Sequence, residues 1–476
     1  MKTSLLSIAA ARLRREAGSR SGFPFVSDPE IVRQVVVLAW PAVIEQLLNT
    51  SVGLVDAYLV GHLGAAALAG VGLSAQVMML NWALFASVGV GATALVARYV
   101  GAGRPAEASR TATQALLLAL TFGLGVGGLL FAGAPLILRL LGGAPEVVAE
   151  GSPYLRIVAS SVGLMAVLFV GNAVLRGAGD TRTPMLVMFL INGVNIAVAG
   201  SLVYGLGPLP ALGVVGSGLG AAMARSLGGL IVLGILVRGR AGLRLALGEP
   251  GRRLPLPRPD GGRMVQVLRI GLPAGGEQLL MRVAQVVMAT LVTRLGTASY
   301  AAHQLVIQVM AISYMPGWGF ALAATTLVGQ ELGAGRPDRA TRSGYTALGL
   351  AVGVMVLVGG LLFAFAEHVV AFFTRDAAVI RLGAQAMRVA AFYQPFLSGL
   401  MVLGGGLRGA GDTRTPLLIQ GGTIWLVRLP LVYLFGLVLG WDVVGVHLAM
   451  GVDFGVRAFL FERRFRSGKW QTVLKT

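Results

Sequence analysis

The decapeptide LRGAGDTRTP occupies positions 175–184 and returns unchanged at 407–416, an offset of 232 residues. The same shift carries GAGRP at 101–105 onto 333–337, and Pro41, Glu45 and Gln46 onto Pro273, Glu277 and Gln278. It also carries Gln76 onto Gln308 and Arg225 onto Arg457. One constant offset across nearly the whole length marks an internal duplication with almost no net insertion. Any fold must therefore hold two copies of one unit.

Hydropathy says what the unit is. Of 476 residues 55% are hydrophobic and only 12% charged, about half the charged share of an ordinary soluble domain. Apolar stretches of about 20 residues or more, enough for a helix to cross the hydrocarbon core, fall roughly at 34–60, 65–97, 112–138, 148–175, 185–206 and 211–237. Six more fall at 266–293, 297–329, 345–373, 383–407, 417–440 and 443–462. The expected fold is all-α, a polytopic membrane protein with twelve transmembrane helices in two six-helix repeats. Six is even, so both repeats start on the same side of the bilayer and are parallel, related by an axis along the membrane normal. The chain divides into a basic arm (1–30), an N-terminal lobe (31–237), a linker rich in Arg, Gly and Pro (238–262), a C-terminal lobe (263–462) and a basic tail (463–476).

The net charge of +19 is spread through short loops rather than gathered on one face. It reads as the positive-inside signal of a cell-membrane protein with both termini cytoplasmic, and nucleic acid is not an expected partner. The arm is no convincing signal peptide, because its apolar run precedes Arg12, Arg14 and Arg15. The absence of Cys excludes disulfides and thiol chemistry. His62, His303, His368 and His447 are scattered, without metal-ligand spacing, so no metal site is expected. No Walker A sequence is present. No cofactor is expected, and energy should come from a proton or sodium gradient. In the duplicated loops Gly suits sharp turns, Thr183–Pro184 and Thr415–Pro416 suit helix starts, and the arginines should face the anionic inner leaflet.

Ionisable groups at membrane depth are costly and are functional candidates. Glu45 and Asp56 lie eleven residues apart in the first span, on nearly one helix face and about 17 Å apart along the axis. Asn49 lies one turn beyond Glu45. This stripe would suit a proton, a sodium ion or an organic cation. Glu45 could equally bond a neighbouring helix. In the seventh span Glu277 and Gln278 repeat Glu45–Gln46, Met288 replaces Asp56, and Arg282 adds a positive charge able to pair with a carboxylate. Tyr154, Asn192, Asn195, Gln308 and Arg428 are further polar candidates for the cavity, each of which could also serve as glue between helices. The charge difference between the halves points to the N-terminal lobe as the coupling lobe.

Twelve spans in parallel halves, VDAYLVGHLG at 55–64, the two GAGRP and two LRGAGDTRTP loops, and WLVRLPLVYL at 425–434 together resemble the multidrug and toxic compound extrusion (MATE) family over about residues 31–462. The resemblance implies two six-helix lobes in a V around a central cavity. It also implies export of small organic, often cationic compounds against inward flow of protons or sodium ions. Asp56 matches the family's first-helix coupling carboxylate, and Asn195 matches an asparagine that accompanies it in one branch. The acidic residue expected four positions later is Ala199, the seventh-helix glutamate of another branch is Met281, and the tenth span has no Asp or Glu. The expected protein is a monomeric, cation-coupled antiporter and not an enzyme. A lipid-linked saccharide flippase, which would want a cationic cavity built on Arg282 and Arg428, is the alternative. An intramembrane enzyme is a remote third, lacking metal cluster, thiol and triad.

Overall fold

The computed structural model describes residues 28–205, 210–245 and 258–474, and at 54, 56, 57, 65 and 80 it describes the backbone alone. Most of the expected basic arm, the middle of the linker and the side chain of Asp56 lie outside the described residues. The N-terminal lobe runs α1 (Pro29–Gly61), α2 (Ala65–Gly101), α3 (Pro105–Leu140), α4 (Pro145–Ser160), α5 (Val162–Gly177), α6 (Arg182–Tyr204) and α7 (Val214–Arg238). The C-terminal lobe runs α8 (Gly261–Thr293), α9 (Thr297–Gly333), α10 (Pro337–Ala364), α11 (Ala366–Phe373), α12 (Ala377–Phe392) and α13 (Gln394–Gly409). It ends with α14 (Arg414–Thr423), α15 (Leu429–Val432) and α16 (Asp442–Arg466).

The duplication reaches into the backbone. α1 and α8, α2 and α9, α4 and α12, and α5 and α13 begin and end at the 232-residue offset. Asp28 caps α1 by accepting the N–H of Glu30 at 3.0 Å, and Asp260 caps α8 through the N–H of Arg263 at 3.1 Å. Each cap satisfies a donor that the first helical turn leaves open. The fourth and tenth spans, expected as single helices, are each bent, by 52° at Ser161 and 51° at Tyr393, residues that again share the offset.

Among the described residues nine helices are long and apolar enough to cross a membrane, and counting each bent pair as one span makes eleven. The twelfth span is α8, 33 residues long but carrying Arg263, Arg269, Glu277 and Arg282. The lobes part company in the eleventh span. There α14 gives way to a π-helical stretch at Ile424–Arg428, then α15, then a second π-helical stretch at Tyr433–Val438. Its counterpart α6 is an uninterrupted α-helix. Pro430 lacks the N–H that a regular α-helical bond would use, and such wide turns are rare and concentrate at functional sites.

The lobes meet through α1 against α9, α2 against α8, and α2 against α9. The first two contacts are symmetry copies of each other and the third lies on the pseudo-axis, as a two-fold relation requires. A Cβ on Gly101 would overlap the carbonyl oxygen of Gln330, and one on Gly333 would overlap that of Arg98. Only glycine lets the two backbones approach this closely. Further crossings pair Gly91 with Val267, Gly271 with Ser87 and Gly319 with Val43. All fall in the second halves of α2 and α9 and the first halves of α1 and α8, the halves next to the arginine-rich loops. The lobes are therefore joined at that end.

The C-terminal segment continues this closure. Trp470 is fully buried against Phe465, with ring centroids 4.6 Å apart, and the carbonyl of Leu474 accepts from Arg98 of the other lobe at 2.6 Å. The stretch expected to be a basic tail is thus docked through residue 474.

Candidate functional site

Charged groups at membrane depth gather in two clusters, one per lobe, with a duplicated pair at the heart of each. In the N-terminal lobe Glu45 on α1 meets Arg176 on α5, Oε1 to Nη1 at 2.6 Å, and the amide of Asn172 lies 3.5 Å from the same oxygen. Glu45 Oε2 and Asn172 Oδ1 are buried and have no hydrogen-bond partner among the described residues. The carboxylate charge is compensated by Arg176 through Oε1 alone, and the second oxygen is desolvated without a hydrogen bond in return.

At the 232-residue offset Glu277 on α8 meets Arg408 on α13, with Nη1 at 3.1 and 3.4 Å from its two oxygens. Here the pair extends. The amide of Gln420 donates to Glu277 Oε1, and Gln420 Oε1 accepts from Arg457 at 3.3 Å. Arg457 forks onto Asp453, with Nε to Oδ1 at 3.0 Å and a second bond from Nη2 to Oδ2. Arg428, the last residue of the first π-helical stretch, reaches Asp453 Oδ2 at 2.8 Å through Nε and 2.7 Å through Nη2. Its guanidinium also lies 4.8 Å from the centre of the Phe454 ring. Two carboxylates and three guanidiniums form one continuous network. The N-terminal counterparts of Gln420, Arg428 and Asp453 are Met188, Ile196 and Ala221, so that lobe cannot build it. Arg225, the counterpart of Arg457, makes no ion pair among the described residues.

These contacts correct the expectation for the duplicated loops in one respect. Arg176 and Arg408 turn inward, away from the lipid headgroups, because a carboxylate on an adjacent helix needs a countercharge. The rest of the motif is structural, as expected. Gly179 and Gly411 take left-handed φ of 94° and 86°. Asp180 accepts from the N–H of Thr183 at 2.9 Å and pairs with Arg240 at 2.9 Å, while Asp412 caps Thr415 and pairs with Arg464 at 2.6 Å.

The remaining candidates are dispersed. Tyr154, Asn192 and Asn195 are buried in the N-terminal lobe, and the amide of Asn192 donates to Met188 of its own helix at 2.9 Å. Asn49 and Gln278 are half-buried and Gln308 is exposed. Arg282 is also half-buried, and its hydrogen bond goes to Gln285 at 3.0 Å rather than to a carboxylate. The side chain of Asp56 lies outside the described residues.

Two histidines that looked unrelated meet. His303 Nδ1 lies 3.3 Å from His447 Nε2, and the Tyr393 hydroxyl lies 3.4 Å from His447 Nδ1, all buried. Their N-terminal counterparts are Val71 and Val215. Among the described residues no group of three or more His, Cys, Asp or Glu could hold a metal ion. Asp453 is not among the residues expected from the sequence, although it is a carboxylate in the middle of an apolar span one turn before Arg457, the usual mark of a functional or paired intramembrane charge. The His303–His447 contact left no comparable sign.

A model of the MatE family matches residues 41–199 and 273–434. A probable multidrug resistance protein NorM of Thermotoga maritima is 31% identical over 451 residues, covering 93% of this chain and 94% of that relative. A probable multidrug resistance protein NorM of Pseudomonas aeruginosa is 31% identical over 441 residues, covering 88% and 86%. Among solved structures, an outward-facing conformation of a multidrug resistance MATE family transporter superimposes with a TM-score of 0.84 at 24% identity, covering 94% and 99% of the two chains. That likeness bears on the fold.

Proposed function

Since the chain belongs to the MatE family, whose members are multi-pass membrane transporters and not enzymes, we propose that it exports small organic, cationic or amphiphilic compounds by alternating access. Inward flow of protons or sodium ions drives the cycle. Asp56, helped by Asn195, binds the coupling cation in the N-terminal lobe. Glu45 with Asn49, and Glu277 with Gln278, shape the cavity walls beside Tyr154, Asn192 and Gln308. The arginine-rich side, with both termini, is cytoplasmic. The transporter works as a monomer.

One observation carries the choice of lobe. The duplicated Glu–Arg pair is saturated in the C-terminal lobe, while in the N-terminal lobe Glu45 Oε2 is buried without a partner among the described residues. A carboxylate left half-satisfied gains more from a proton or a cation than one already bonded at both oxygens. Lobes joined at one end supply the second element, a body that rocks about that joint. The saccharide-flippase alternative weakens, because Arg428 is ion-paired with Asp453, which leaves of the two only Arg282, hydrogen-bonded to the neutral amide of Gln285, without a carboxylate partner among the described residues. One such charge falls short of the strongly cationic cavity that such a carrier needs.

The test is dye transport in inverted vesicles under a pH gradient alone and then under a sodium gradient alone. Transport should follow one gradient, and Asp56→Asn should abolish it. Transport without any gradient, or Asp56→Asn working at the wild-type rate, would sink the reading.

A further inference from the structure

Two ion pairs tie the lobes together at the arginine-rich rim. Arg263, in the first turn of α8, reaches Glu107 in the first turn of α3, Nη2 to Oε2 at 2.7 Å. Arg339, in the first turn of α10, reaches Glu30 in the first turn of α1, Nη2 to Oε1 at 2.9 Å. Glu107 and Arg339 are related by the 232-residue offset, and Glu30 and Arg263 miss it by one residue. The duplication thus builds one crossing twice, between the first span of each lobe and the third span of the other.

A duplicated chain that kept its residues would give each lobe one partner of each sign. This chain has diverged from that pattern. Both N-terminal members are glutamates and both C-terminal members are arginines. The two pairs therefore attract across the same boundary in the same sense, and mispairing within a lobe would set like charges together. Nearby groups adjust the charge without changing its sign at the crossing. Arg110 lies 3.4 Å from Glu107, Asp260 lies 2.9 Å from Arg263, and Glu331 lies 3.2 Å from Arg339. Arg263 and Glu107 keep 21% and 26% of their side-chain surface, and Arg339 and Glu30 keep 26% and 63%, so the first pair is partly shielded, the second is open at its glutamate, and both are accessible to salt.

We propose that Glu30 and Glu107 on one lobe, with Arg263 and Arg339 on the other, form an electrostatic gate that holds this rim shut and parts as a unit when the rim opens. The gate rests on the alternating-access reading above. It adds a device in which opposite charge on two homologous lobes replaces a symmetric latch.

Because the chain has no Cys, Thr326→Cys gives a reporter free of background. Thr326 is 1% exposed at the lobe interface, and its hydroxyl donates to the Arg176 carbonyl across the boundary at 2.9 Å. Labelling by a membrane-impermeant maleimide is measured on inverted vesicles, together with dye transport under an ion gradient. Reversing one side, Glu30→Arg with Glu107→Arg, should raise the labelling rate about tenfold. Adding Arg263→Glu and Arg339→Glu should return it to within about twofold of the starting rate. Should the reversed protein fail to insert, Glu30→Gln with Glu107→Gln should raise labelling about threefold. Labelling indifferent to both the reversed and the neutral pair, or still fast after the full exchange, overturns the gate. Labelling that follows charge in vesicles that never move dye leaves the gate standing and overturns the transport reading instead.

Discussion

Glu45–Arg176 and Glu277–Arg408 are one ion pair laid down twice, yet the two lobes have built different surroundings for it. In the N-terminal lobe the pair is short and joined only by the Asn172 amide, with one glutamate oxygen unpartnered among the described residues. In the C-terminal lobe it is the first link of a chain through Gln420, Arg457 and Asp453 to Arg428. The two copies share the same helices and the same crossing, and Gln420, Arg428 and Asp453, where the other lobe has Met188, Ile196 and Ala221, make one of them a braced structure. The lesson is that equal backbones can carry unequal polar networks, one glutamate bonded through both oxygens and the other through one.

The sharpest way to break this comparison is to remove the central carboxylate. Asp453→Ala strands Arg428 and Arg457 and should cost about 3–5 kcal/mol, read as a large fall in thermal stability in detergent. Arg457→Met should approach that cost, whereas Arg225→Met at the equivalent N-terminal position should stay within about 1 kcal/mol. Equal losses at 225 and 457 would mean the braced network is not braced. A finer test sets Glu277→Gln against Glu45→Gln: each leaves an arginine without its carboxylate and should cost about 3 kcal/mol or more, with the larger loss at Glu277, where the bond from Gln420 is disturbed as well.

The symmetric joint should answer differently, with both copies equal. Gly101→Ala and Gly333→Ala each drive a methyl group into a facing carbonyl and should each lose about 1–3 kcal/mol, with a matching fall in dye transport. Unequal effects would show that the joint has diverged as the clusters have. The smallest expected change is Thr326→Val, which deletes one hydrogen bond from the C-terminal lobe to the Arg176 carbonyl and should cost about 1 kcal/mol. Its counterpart is Ala94, so the loss would be a purely one-sided one.

Much of the fold was legible because hydropathy and repetition are local signals. Span number, parallel halves and the turn chemistry of GAGDTRTP all follow from residue types within a few positions of one another. The kink at Tyr393 has a local sign in Pro395, two residues on, whereas the equivalent position beyond Ser161 is Gly163, and that kink is related to the other only by the shared offset. Glu45 and Glu277 stood out as charges in apolar spans, but their partners did not. Arg176 and Arg408 sit in polar-looking loops and were assigned to the lipid headgroups, because loop arginines usually face that way. Asp453 was readable in principle as a carboxylate one turn before Arg457.

The linear chain was sufficient for the duplication, the twelve apolar spans and the side of the membrane on which positive charge collects, because each depends on composition along the backbone and not on how helices are rotated. Which polar groups touch depended on three-dimensional packing. Glu45 and Arg176 are 131 residues apart and His303 and His447 are 144, and whether such side chains meet depends on helix rotation and tilt, which no local pattern encodes. The inequality of the two clusters, and the opposite charges that face each other across the lobe boundary, appear only when both copies are folded against one another.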